Sequence, residues 1–141
     1  DALVHSGTYN NNVLTMAAGI AGLSKVFTPD TTERLNRTGD DFRQHLQSVA
    51  DQHDAPFQIM GRGSMICIHP QREPIRNPAD TAASSATARK LVHLEMHLRG
   101  FYLARRGFMS LSLPLTESDL NSFAEAFEAV VIEYGQVLAA H

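Results

Sequence analysis

The hydrophobic period of this chain changes at Asp54-Ala55-Pro56, and that change restricts what it can fold into. Upstream, Leu35, Phe42, Leu46 and Val49 recur at spacings of seven, four and three. Arg34, Arg37, Asp40, Arg43 and Gln44 fill the opposite side, the pattern of an amphipathic helix. Downstream, Phe57-Gln58-Ile59-Met60 reads as a short strand, Gly61-Arg62-Gly63 as a turn, and Ser64 to His69 as a second strand. Two strands across a tight glycine turn predict a hairpin.

The flanking segments extend this pattern. A first helix is expected from about Asn12 to Phe27, with Leu14, Ala17, Ala18, Ala21 and Leu23 on one broad face and Gly19 and Gly22 between them. So many small side chains suit a buried helix or a subunit contact. Thr28-Pro29 stops it and starts the next, with Thr28 as cap and Pro29 at the first helical position. Pro70 to Pro78 is a polar loop, and Asp80 is expected to cap a helix from near Thr81 to Arg99-Gly100. Its core face would use Leu91, Leu94 and Leu98. Phe101-Tyr102-Leu103 is read as a strand, Ala104-Arg105-Arg106-Gly107 as a turn, and Met109 to Leu113 as an alternating strand ended by Pro114. Thr116-Glu117-Ser118-Asp119 resembles a capping box, and Leu120, Phe123, Phe127, Val130 and Val131 then face a core. The fold class is α+β, a short, mostly antiparallel sheet flanked by helices.

Composition sets outer bounds. With 141 residues, 43% hydrophobic and 19% charged, the chain has the size and make-up of one globular domain. A net charge of −3 gives no general attraction to nucleic acid or anionic membrane, and no apolar run approaches a membrane span. The single cysteine, Cys67, lies in Met65-Ile66-Cys67-Ile68, which reads as a buried thiol in a reduced, cytosolic protein.

Few motifs carry chemistry. His93-Leu94-Glu95-Met96-His97 puts two histidines one helical turn apart, but not in the metalloprotease order, and a solvated helix face accounts for them; no metal is expected. Gly61-Arg62-Gly63 is too short for a dinucleotide fingerprint, and no nucleophile elbow or lysine-bearing phosphate loop occurs. Two features remain. Arg105-Arg106-Gly107-Phe108 sets two arginines in a turn between strands, suited to gripping a carboxylate, although on local grounds two surface arginines in a turn are the ordinary explanation. His5-Ser6-Gly7-Thr8-Tyr9-Asn10-Asn11-Asn12 delivers a Gly-Thr turn to a helix start, where unpartnered N–H groups can hold a phosphate or carboxylate. Locally, an ordinary helix-entry loop explains this stretch too.

The stretch from His5 to Gly19 resembles the Gly-Thr segment of class III aminotransferases. The similar branch holds glutamate-1-semialdehyde 2,1-aminomutase and the β-amino-acid aminotransferases, including β-phenylalanine aminotransferase. Tyr102 to Thr116 resembles the same branch, and Gly61-Arg62-Gly63-Ser64-Met65 falls where the family has a glycine-rich turn before a strand. The resemblance implies a fold-type I enzyme using pyridoxal 5′-phosphate, with residues 1–27 ending a large domain and 28–141 forming the C-terminal small domain. It implies that Gly7 and Thr8 bind the cofactor phosphate of the neighbouring subunit, in a homodimer with a shared active site. It also implies that Arg106, immediately before Gly107-Phe108, holds the substrate carboxylate. Asn10-Asn11-Asn12-Val13 departs from the Ser-Gly-Asn-Pro of many members and favours the aminotransferase branch over the aminomutase.

A pyridoxal enzyme also needs a lysine to anchor its cofactor and a carboxylate against the pyridine nitrogen. In this family both precede the Gly-Thr turn, whereas only seven residues precede Thr8 here. Lys25 and Lys90 are the only lysines, and neither sits where the family's lysine would. The expectation is therefore a C-terminal piece of such an enzyme, inactive without a large N-terminal domain, acting on small amino and keto acids. The competing expectations are the aminomutase, a non-catalytic interaction domain using the Asn12–Phe27 helix, and a small-acid-binding domain using Arg106.

Overall fold

The computed structural model describes Gly7, Tyr9 and residues 12–139. The chain divides into two compact units, residues 1–34 and 35–141.

In the first unit, Asn12 caps α1 (Val13–Ala21), its side-chain oxygen accepting from the backbone N–H of Leu14 and Thr15. The helix continues into a π-helical turn over Gly22–Val26. The expectation of a buried helix is not met within this chain: α1 buries no residue, and Leu14 (79%), Ile20 (68%) and Leu23 (70%) are largely exposed. Thr28 does cap the next helix, its hydroxyl accepting from the Thr31 N–H at 3.3 Å, with Pro29 first in α2 (Pro29–Gln52).

The second unit is built on a three-stranded antiparallel sheet, β1 (Phe57–Arg62), β2 (Met65–Pro70) and β3 (Phe108–Ser110), in the order β1-β2-β3. The hairpin turn is shorter than expected. Arg62 pairs with Met65, so Gly61 lies within β1 and only Gly63-Ser64 turn. Phe57, Ile59, Ile66 and Ile68 alternate onto the core face. There they join Phe42, Leu46 and Val49 of α2, Val92 and Met96 of α3 (Ala86–Leu98), and Phe123, Phe127, Val130 and Val131 of α4 (Glu117–Ala139). Edge-on aromatic pairs, Phe42–Phe123 at 5.6 Å and Phe57–Phe127 at 5.4 Å, join the long helices to each other and to the sheet.

Four expectations are corrected between β2 and α4. Asp80 does not cap one long helix. It completes a capping box with Asn77 at the start of a 3₁₀ turn (Pro78–Ala83), after which Ser85 caps α3 through the Ala88 N–H. The core face of α3 is Ala88, Val92 and Met96, whereas Leu94 and Leu98 are exposed and Leu91 is half-buried. Phe101–Leu103 is not a strand. Gly100, at φ 89°, ends α3 with the Phe101 N–H donating to Met96 O and the Gly100 N–H to His97 O, a Schellman closure. The following strand is also shorter, three residues rather than five, although Leu111 N–H still reaches Ser64 O at 2.8 Å. α4 starts as expected, with Thr116 and Asp119 exchanging hydrogen bonds. Among the described residues no helix is long and apolar enough to cross a membrane.

Candidate functional site

Arg106 is placed by the short turn that feeds β3. Gly107 makes this turn possible. Its φ of 87° suits glycine, and an added Cβ would collide with the Ile68 carbonyl. The Gly107 N–H closes the turn onto Ala104 O at 2.7 Å, while its carbonyl accepts from the Ile68 N–H at 2.9 Å, tying the turn to β2. Arg105 and Arg106 both project to solvent.

What distinguishes Arg106 from its neighbour is bracing. Its guanidinium carbon lies 5.2 Å from the centre of the Phe108 ring, a cation–π contact, and its carbonyl accepts from the Cys67 thiol at 3.6 Å. Phe108 pairs with Cys67 across the sheet, and Cys67 pairs with Met60 on the other side. The guanidinium therefore stands over the outer sheet face, the side opposite the core, and among the described residues it has no ion-pair partner. A cation held by an aromatic ring, with its donors free, is available for a bidentate grip on a carboxylate.

The surrounding groups add binding chemistry and no obvious base. Cys67 is half-buried on the outer face, not enclosed in the core as the apolar run suggested, because strand alternation gives the core to Ile66 and Ile68. Burial pushes its thiol pKa up, so it stays protonated at neutral pH, although Arg106 and Arg89 pull the other way. Burial also holds His69 below the usual imidazole range, with Arg89 adding to the effect, and its Nδ1 has no partner among the described residues. A cleft of about 420 Å³ between α2 and α4, lined by residues such as Asp41, His45 and Asn121, does not include Arg106.

The Gly-Thr turn is only partly visible. Thr8 lies outside the described residues. Gly7 is exposed at φ 151°, a backbone angle rare for other residues. One element of the sequence reading changes. Asn12 already accepts from the Leu14 and Thr15 N–H groups, so these helix-start donors are occupied. Gly7 and Arg106 belong to the separate units 1–34 and 35–141. Lys25 and Lys90 are both exposed, as their reading as solvated positions requires. The bracing of Arg106 by Phe108 and Cys67 escaped the sequence reading. The alternation of Cys67 and Phe108 with buried neighbours was the available signal.

The family model described as aminotransferase class III matches residues 1–131, and the chain belongs to this family, whose members depend on pyridoxal phosphate. It is 37% identical over 136 residues to β-phenylalanine transaminase of Variovorax paradoxus, covering 96% of this chain and 31% of that protein. The crystal structure of that β-phenylalanine aminotransferase superposes with a TM-score of 0.89, at 36% identity over the same shares of the two chains. A glutamate-1-semialdehyde 2,1-aminomutase of Staphylococcus saprophyticus is 30% identical over 131 residues, 92% of this chain and 30% of its own length. The chain thus spans about a third of the relatives it matches, and it corresponds to the C-terminal part of fold-type I transaminases.

Proposed function

We propose that this chain is the carboxylate-binding and phosphate-binding C-terminal part of a pyridoxal-phosphate aminotransferase that moves an amino group between an amino acid, β-amino acids included, and a keto acid. The observation that carries the reading is the unpaired, aromatic-braced guanidinium of Arg106 on the outer face of the sheet. Identity to a β-phenylalanine transaminase exceeds that to the aminomutase, 37% against 30%, which supports amino transfer over amino migration.

The division of labour follows from the residues. Arg106 binds and orients the substrate carboxylate, and Gly107 holds the backbone that aims it. Gly7 and Thr8 bind the cofactor phosphate of a neighbouring subunit in a homodimer, Gly7 admitting the phosphate close to the backbone. When bound, pyridoxal phosphate draws electron density away from the carbon that carries the amino group. The anchoring lysine and its proton transfers belong to a large domain beyond this stretch. Cys67, held protonated with its thiol donating to the Arg106 carbonyl, adds no charge to the site.

The test is Arg106→Ala in the protein carrying this chain, assayed with substrates that bear a carboxylate and with simple amines. Losing a charge-assisted hydrogen-bonded grip removes about 1.5–3 kcal/mol, roughly ten- to 150-fold in kcat/KM for the acids, with the amines little changed. Equal losses on both classes assign Arg106 a structural role and overturn the reading. Thr8→Ala is expected to weaken cofactor binding by the same mechanism. Unchanged cofactor affinity removes Thr8 from the site. Product analysis settles the remaining branch, because an isomerised product with no keto-acid co-substrate consumed identifies the aminomutase.

A further inference from the structure

On the helix that shortly precedes the arginine turn, the surface of α3 carries an arrangement the aminotransferase reading does not use. His93 and His97 lie one helical turn apart, and their rings are nearly parallel, 19° between planes and 6.2 Å between centres. The Nδ1 of His93 sits 2.9 Å from the backbone carbonyl of Leu103. A carbonyl can only accept, so Nδ1 carries the proton and Nε2 is left as a bare lone pair. Tyr102 stands edge-on to both rings at 6.3 Å, a wall that keeps the two imidazoles side by side. His93 is half-buried and fixed, while His97 is exposed and free to turn its ring toward its neighbour.

These are the requirements of a chelating pair. A metal-binding histidine typically gives its second ring N–H to a carbonyl, which fixes the tautomer and raises the basicity of the ligating nitrogen. His93 has that partner before any metal arrives. We propose that His93 and His97 form a two-nitrogen surface site for a divalent transition metal, with Cu(II) preferred over Ni(II) and Zn(II). The preference follows from imidazole donors and the general order of divalent affinities. Two protein ligands leave the remaining coordination positions to water. A bound ion ties α3, through His93, to the segment 101–103 that closes the helix.

The experiment titrates Cu(II) alone into the protein carrying this chain and into His97→Ala, His93→Gln and His45→Ala. The glutamine variant keeps an amide donor for Leu103 O while removing the ligating nitrogen, so the fold around α3 is preserved. His45 is a lone exposed histidine on α2 and serves as the control. Tethering two ligands raises affinity over either alone by roughly 100-fold or more, so His97→Ala and His93→Gln each lose about that factor and His45→Ala loses none. Electron paramagnetic resonance of the Cu(II) form shows two imidazole nitrogens, falling to one in either α3 variant. Unchanged affinity in His97→Ala, or a loss confined to His45→Ala, overturns the site.

Discussion

Gly39 lies in the middle of α2 with its face against the hairpin turn, where an added Cβ would land on the backbone of Gly63 and Ser64. The seat is completed by polar neighbours on the same helix. Asp40 accepts from the Gly63 N–H at 3.0 Å and Asn36 from the Ser64 N–H at 3.3 Å. Gly39→Ala therefore gains helix propensity but drives the turn off its docking site. A net loss of about 1–3 kcal/mol is expected, read as a lower urea midpoint at unchanged slope. Tyr134 is the second informative residue. A hydrogen bond to Glu95, with burial next, pushes its phenol pKa up to about 12. A raised folded-state value stabilises the fold below the ordinary tyrosine range near ~10, and that contribution is lost as pH climbs through 12. Alkaline titration followed by phenolate absorbance should show one late tyrosine, absent in Tyr134→Phe and moved earlier in Glu95→Gln. A late tyrosine that persists in Tyr134→Phe rules out the assignment.

Helix ends explain most of what the sequence did and did not reveal about the elements. At α4 the hydroxyl of Thr116 accepts from the Asp119 N–H at 3.2 Å, and Asp119 accepts from the Thr116 N–H at 2.8 Å. Thr116→Ala should cost about 0.5–2 kcal/mol in thermal or urea unfolding. The backbone hydrogen bond from Thr116, with its hydroxyl second, holds the Asp119 carboxyl below the ordinary range. Its contribution is thus complete above pH ~4 and lost as pH falls through the depressed folded value, so Asp119→Asn flattens the acid limb of the stability curve. This cap was legible because donor and acceptor sit three residues apart beside an apolar run. The Asn77 and Ser85 caps were not. Two helix starts eight residues apart look like one long helix when Asp80, the last residue of the first box, is taken for its start. The face of α3 misled for a related reason. Leu94 and Leu98 are its bulkier apolar residues, yet the core takes Ala88, Val92 and Met96, one strict i, i+4 stripe set by where Ser85 begins the helix. Phe101–Leu103 looked like a strand because it is apolar, but its backbone bonds to Met96 O and the His93 ring, partners that no local pattern announces. The exposed turn that carries Arg106 was legible in the sequence, while the contact of its guanidinium with Phe108 required the register that sets Phe108 beside Cys67.

At the scale of the whole molecule, α1 is the element that this chain leaves unexplained by its own packing. Leu14, Met16, Ile20 and Leu23 are all more than half exposed on a helix with no buried residue. Gly19 and Gly22 have open space where a side chain would stand. Such a surface is costly in water, and glycines without neighbours are where another backbone can approach closely. If Gly7 and Thr8 serve the neighbouring subunit's cofactor, the helix that follows them belongs to the same contact. One α1 face against a second copy would bury both the apolar side chains and the small-residue stripe. Burying a leucine side chain contributes about 1.5–3 kcal/mol, or roughly ten- to 150-fold in a dissociation constant. In the proposed homodimer, Leu23→Asp should therefore favour monomer by at least about tenfold in analytical ultracentrifugation, and weaken cofactor binding in parallel. Loss of dimer with full cofactor affinity would separate the phosphate turn from the interface. An unchanged dimer constant would show that another part of the protein covers α1, and the shared-site reading of Gly7 and Thr8 would fall with it.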